Sequence, residues 1–79
     1  MEQYTEEKII EIVNAYVSLV EAKNMLEKMK DGEIKRSPYN LAKIKKIGQE
    51  TILKYLEVVP SQIRNVLPLK ASDLEILII

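Results

Sequence analysis

Neither cysteine nor histidine occurs anywhere in these 79 residues, and that double absence narrows the folds open to the chain. A single core this small is marginal, and short domains commonly add a disulfide, a structural metal or a partner. Disulfides are excluded, and with carboxylates as the remaining ligands a metal centre is not expected. Close helix packing or burial against a second protein is left to supply the stability. The question is therefore where apolar surface would face a neighbour.

The hydrophobic pattern is helical. Thr5 has the chemistry of an N-cap, with Glu6 and Glu7 in the first turn where the helix dipole favours acids. Ile9, Ile12, Val13, Tyr16, Leu19, Val20 and Leu26 then follow helical spacing, interrupted by Lys23 and extended by Met25 and Met29. Asp31-Gly32 is a stop signal, since glycine accepts the left-handed conformation past a helix end. The spacing predicts a helix over residues 5–30, a rod of about 37 Å at 1.5 Å per residue. That is long for a domain whose expected radius of gyration is about 12 Å. Such a rod either breaks near Asn14–Ser18 or projects towards a partner.

Ser37-Pro38 opens a second helix as N-cap and first helical residue. Leu41, Ile44, Gly48, Ile52, Tyr55, Leu56 and Val59 share one face, which predicts a continuous helix over 38–59. Gly48, inside that stripe, either permits a close approach or breaks the helix locally. Pro60 ends the segment, a short helix is expected over 61–67, and Pro68 closes it. Ser72-Asp73-Leu74-Glu75 has the S-x-x-E form of a capping box, so a last helix is expected over 73–79. Three β-branched residues among Ile76, Leu77, Ile78 and Ile79 leave a strand as the alternative. The fold class expected is all-α, a single small bundle of two longer antiparallel helices and two short C-terminal ones.

The residue inventory argues against an enzyme. There is no histidine for base catalysis, no cysteine nucleophile, and no glycine-rich phosphate loop. No catalytic residue, cofactor, metal or small-molecule substrate is expected, and Glu7, Glu11 and Glu21 read as solubilising residues. No apolar run approaches the roughly 18 residues of a membrane span. Gln3, Glu6, Glu7 and Lys8 interrupt any signal-peptide pattern, and the default location is cytoplasmic. The 11 Ile, 10 Lys and 10 Glu, with no Phe or Trp, give a thermophile-like composition.

Net charge is zero but uneven: −4 over residues 1–34, +5 over 35–54 and −1 over 55–79. Lys35, Arg36, Lys43, Lys46 and Lys54 make up most of the basic middle and are candidates for phosphate contact. Glu50 and Glu57 in the same stripe offer helical ion-pair partners instead. Along the Lys43, Lys46 and Lys54 stripe no aromatic residue interleaves for base stacking, because Tyr55 belongs to the apolar side; Tyr16 and Tyr55 both read as core.

Chain ends commonly fray into water, so four aliphatics in a row at 76–79 need cover. Ile76, Leu77, Ile78 and Ile79 are the candidate partner-binding residues, with Met25 and Met29 as an adaptable patch or as core filling. The partner expected is a larger protein subunit or a second copy of the chain, with weak nucleic-acid contact as the alternative.

Two stretches resemble the F-type stalk subunits of RNA polymerase, a family of archaea with eukaryotic counterparts. "NLAKIKKIGQETILKYL" (Asn40 to Leu56) is similar to that family's helix ending in an E-T-L-K-Y-L-like string, with Ile52 as an extra residue. "IRNVLPLKASDLEILI" (Ile63 to Ile78) resembles its C-terminal I-x-x-I-L-P … D-L-R-x-I pattern. "YTEEKIIEIVNAYV" (Tyr4 to Val17) resembles the family's final helix but stands at the opposite end, so the order is permuted. The helix that separates the first two stretches in the family is absent. "SPYN" (Ser37 to Asn40) is similar to a string of the GINS replication subunits. These resemblances imply an archaeal-like, non-enzymatic helical accessory subunit or adaptor of transcription or DNA replication machinery, docked on a larger partner.

Overall fold

The computed structural model describes residues 4–66 and 68–79. Helix α1 runs from Glu6–Lys30 and α2 from Pro38–Val58; a single turn, α3, covers Ser61–Arg64, and a 3-10 helix covers Ala71–Leu77. No strand occurs among the described residues, so the all-α expectation holds.

Local chemistry sets each end. The Thr5 hydroxyl accepts the Lys8 N–H at 3.1 Å. At the other end Gly32 takes φ 84°, its N–H donates to Met29 O at 3.2 Å, and the Glu33 N–H donates to Lys28 O at 2.8 Å. These are the two reciprocal bonds of a Schellman closure, and they turn the chain back after α1. The Asn40 side chain donates to Lys35 O at 2.7 Å, while Ser37 Oγ accepts the Asn40 N–H at 3.1 Å and starts α2. Val59 caps α2, its N–H donating to Tyr55 O at 2.9 Å.

Helix α1 is continuous through Asn14–Ser18. The molecule is elongated, 48 × 22 × 17 Å with a radius of gyration of 14.1 Å, against about 12 Å for a compact chain of this length. The core involves Ala15, Leu19, Ala22, Leu26 and Met29 of α1, then Ile44, Ile52, Tyr55 and Val58 of α2, with Val59 and Ile76. No α1 residue before Ile12 joins it, so the first turns of α1 project past the packed region.

Gly48 lies within an unbroken α2, and its missing side chain makes room for Ile76. A Cβ placed there would stand 2.5, 2.6 and 2.7 Å from Cγ2, Cγ1 and Cδ1 of Ile76, far inside the roughly 3.5–4.0 Å of a relaxed carbon contact.

The C-terminal segments depart from expectation. The α3 turn ends at Arg64 and gives way to a turn at 65–66, and the expected end at Leu67 lies outside the described residues. The last helix starts at Ala71, not Asp73, and is 3-10 rather than α. Ser72 is exposed; the capping contact is made instead by the Asp73 carboxylate, which accepts the Lys70 N–H at 2.8 Å. At three residues per turn, positions i and i+3 eclipse, which puts Asp73 and Ile76 in one line, while Ile79 lies past the helix end. Asp73 and Ile76 are buried along it and Ile79 is half-buried. Seven residues is long for this geometry, and tertiary anchors hold it: Lys23 on Asp73 at 2.6 Å, Lys30 on Glu75 at 2.6 Å, and Gly48 under Ile76.

Candidate functional site

The expected docking residues separate once placed. Ile76 is 1 % exposed and Met29 is 5 % exposed, so both belong to the chain's own core and present nothing to a partner, a correction with a direct cause. Gly48 leaves a recess that the Ile76 side chain fills, and Met29 continues the inward spacing of α1. Leu77, Ile79 and Met25 are half-buried and pack against the core. Ile78 alone of the four terminal aliphatics stands clear, 83 % exposed.

The basic residues are all on the surface. Lys35 and Arg36 lie in the connection before α2, and Lys43, Lys46 and Lys54 on α2 itself. Among the described residues none of these five joins an ion pair, so the pairing expected from Glu50 and Glu57 is not formed. They point outward as solvated cations.

What sequence reasoning missed is a second apolar face on α1. Ile9, Ile10, Val13, Tyr16, Val17 and Val20 are between 38 and 52 % exposed, although helical spacing alone places Ile9, Val13, Tyr16 and Val20 in one stripe with Leu19 and Leu26. The expectation that Tyr16 is core is corrected in the same way. Two seams run along this helix, each with four-then-three spacing. The inner one is Ala15, Leu19, Ala22, Leu26, Met29, all buried. The outer one is Ile9, Val13, Tyr16, Val20. At 100° per residue the two lie about 130° apart round the helix. The signal that separates them was present in Ala15 and Ala22. Small apolar residues at helical spacing mark where another helix comes close, and they pull the inward direction away from Val13 and Tyr16.

The outer seam ends at a charged boundary. Lys23 donates to Asp73, whose carboxylate is nearly closed to water. Burial pushes the Asp73 carboxyl upward, but the Lys23 hydrogen bond, the Lys70 backbone N–H and both lysine charges outweigh it and hold the group below its ordinary value. The Tyr55 hydroxyl nearby is pushed up, by burial first and then by the Asp73 charge. At the end of α1 the Lys30 ammonium is held above its usual value chiefly by its hydrogen bond to Glu75. Tyr16, Val20 and Lys23 also line an open groove of about 190 Å³ with Val66, Pro68 and Lys70. The apolar surface of α1 therefore continues onto Val66, which is itself exposed.

Chemically this arrangement can bury hydrocarbon against a neighbour. Among the described residues no group of three or more acidic side chains could hold a metal ion, and no helix is long and apolar enough to cross a membrane.

Comparison with protein-family models, with curated proteins and with solved structures found no match to this chain.

Proposed function

We propose that this chain is a non-enzymatic interaction module, an accessory subunit or adaptor that works by burying an aliphatic helix face against another protein. The observation that carries the reading is the outer face of α1. Between Ile9 and Val20 the helix is apolar on nearly all sides, and a helix of that kind is normally covered on all sides. In the folded chain only one side is covered. Leu74, exposed on the 3-10 helix, and Ile78, exposed just past its end, are secondary candidates. The setting, a transcription or replication complex, is supported by the likeness of residues 40–56 and 63–78 to the polymerase stalk proteins and of residues 37–40 to the GINS replication subunits.

The test is capture from an extract with the intact protein and with Val13→Glu/Val17→Glu, followed by identification of the partner and reconstitution with that partner purified. A reconstituted contact that survives high salt and is lost in the variant supports the reading. A contact indifferent to the variant refutes it. The exposed, unpaired cations Lys35, Arg36, Lys43, Lys46 and Lys54 support the competing reading of nucleic-acid binding. That contact would weaken steeply with salt, whereas aliphatic docking would not.

A further inference from the structure

We infer that the occupant of the outer α1 face is a second copy of this chain, its α1 lying antiparallel to the first. The inference rests on reading that face as the docking surface and names what docks there.

Self-complementarity is the first support. Ile9, Val13, Tyr16 and Val20 repeat with four-then-three spacing, the spacing of positions that interdigitate between two helices packed side by side. The pattern is nearly symmetric about its midpoint between Asn14 and Ala15. Running the second helix in reverse therefore sets Ile9 opposite Val20 and Val13 opposite Tyr16, in four closed layers. Ile10 and Val17, on the same edge of the seam, fall beside each other across the two-fold axis. The set then has the width of a bundle-facing helix rather than of a bare coiled-coil seam. An isologous contact of this kind closes on itself.

Charge selects the direction. One step outward in the same spacing, the seam meets Glu6 at one end and Lys23 at the other. Antiparallel pairing places each Glu6 against the Lys23 of the other copy. Parallel pairing would set Glu6 on Glu6 and Lys23 on Lys23. Lys23 already donates to Asp73, but an ammonium has three donors and keeps capacity for a second carboxylate.

Area is the third support. Six aliphatic and aromatic side chains left about half exposed amount to an apolar patch on the order of 400 Å², the size of the largest patch on a typical monomer, which is often functional. Two such patches supply about 800 Å² before any rim residue is added, within reach of the roughly 1,200 Å² at which stable interfaces begin. The projecting first turns of α1 leave this face unobstructed by α2.

The experiment is sedimentation velocity on the purified full chain over a range of concentrations. The expected mass is about twice 9.1 kDa, with dissociation on dilution. Val13→Glu/Val17→Glu should weaken association at least about 100-fold, since each dimer would bury four carboxylates in hydrocarbon, while circular dichroism shows the helices retained. Ile78→Asp should leave the mass unchanged. Direction is read by mixing the single variants Val13→Cys and Tyr16→Cys, in a chain with no native cysteine, under mild oxidation. The mixed 13–16 disulfide should dominate.

A monomer at every concentration overturns the inference, and so does preferential 13–13 cross-linking. Failure of the underlying reading looks different. A monomer whose reconstituted partner is lost with Val13→Glu/Val17→Glu keeps the face as a docking site for another protein and removes only the second copy. A dimer that resists those substitutions removes both.

Discussion

Replacing Gly48 with alanine should destabilise this protein, although helix propensity alone says the opposite. In the interior of an exposed helix the change gains about 1 kcal/mol. Here the new methyl would meet three carbons of Ile76 at 2.5, 2.6 and 2.7 Å, so something must move by about 1 Å to restore a relaxed contact. Ile76 cannot give way cheaply. It is β-branched and stiff at its first torsion, and at 1 % exposure it has no open space to turn into. Overpacking of this kind costs about 1–3 kcal/mol, and pushing Ile76 out altogether approaches the 2–5 kcal/mol of losing the side chain. Net destabilisation should be about 1–2 kcal/mol, a fall in midpoint temperature of roughly 5–15 °C for a domain of this size. Urea unfolding followed by far-ultraviolet circular dichroism measures it, with all variants at one protein concentration because self-association would add to stability. Ile76→Ala provides the internal control. In the double variant the methyl added at position 48 occupies part of the space that Ile76 vacates, so the two changes together should cost at least about 1 kcal/mol less than their sum. A Gly48→Ala protein as stable as the parent, or effects that add within about 0.5 kcal/mol, would refute the idea that Gly48 exists to seat Ile76.

Ile76→Ala should itself cost about 2–5 kcal/mol, whereas Ile78→Ala, at an 83 % exposed position, should stay within about 0.5 kcal/mol; chemical denaturation of both variants checks the contrast. Asp73→Asn should cost about 1–3 kcal/mol near neutral pH by weakening the bonds to Lys23 and the Lys70 N–H. Because the folded-state carboxyl of Asp73 is held below its ordinary value of 3.8, its contribution is present above that value and disappears as the pH falls through the depressed one. Parent and variant should therefore begin to converge in stability only below about pH 4 and meet below the depressed folded-state value, as read from unfolding curves at stepped pH. Thr5→Ala removes the hydroxyl that accepts the Lys8 N–H and should cost about 1 kcal/mol, with hydrogen exchange rising first at the start of α1.

Most of the architecture was legible because its determinants are local. Thr5, Gly32 and Ser37-Pro38 each satisfy or release backbone groups within a few residues, and such chemistry can be read in one dimension. The C-terminal helix was misread because its geometry is set from a distance. Asp73 is held by Lys23, Glu75 by Lys30, and Ile76 by a glycine 28 residues earlier, and none of these is visible in the S-x-x-E string. Two of the docking candidates, Ile76 and Met29, lie in the core for a related reason. Hydrophobicity identifies which side chains need cover but not which element provides it. Ile76 is covered from within the chain, while Val13, equally apolar, is left in the open. On α1 the two seams merge when large residues are weighted above Ala15 and Ala22, and it is the small ones that mark the inward side.

The paired seams of α1 carry a consequence for how such a chain can drift over generations. Point substitutions can be absorbed seam by seam, since the inner set governs folding and the outer set does not. A change in length cannot. One residue inserted between Asn14 and Ala15 would turn everything before it by about 100°, carrying Ile9 and Val13 out of line with Tyr16 and Val20. The fully buried seam begins at Ala15 and would stay intact, with only the half-buried Ile12 turned off the core. The result would be a chain that still folds, yet has lost its outer face in one step, so the length of this helix should tolerate indels far less than its composition tolerates substitution.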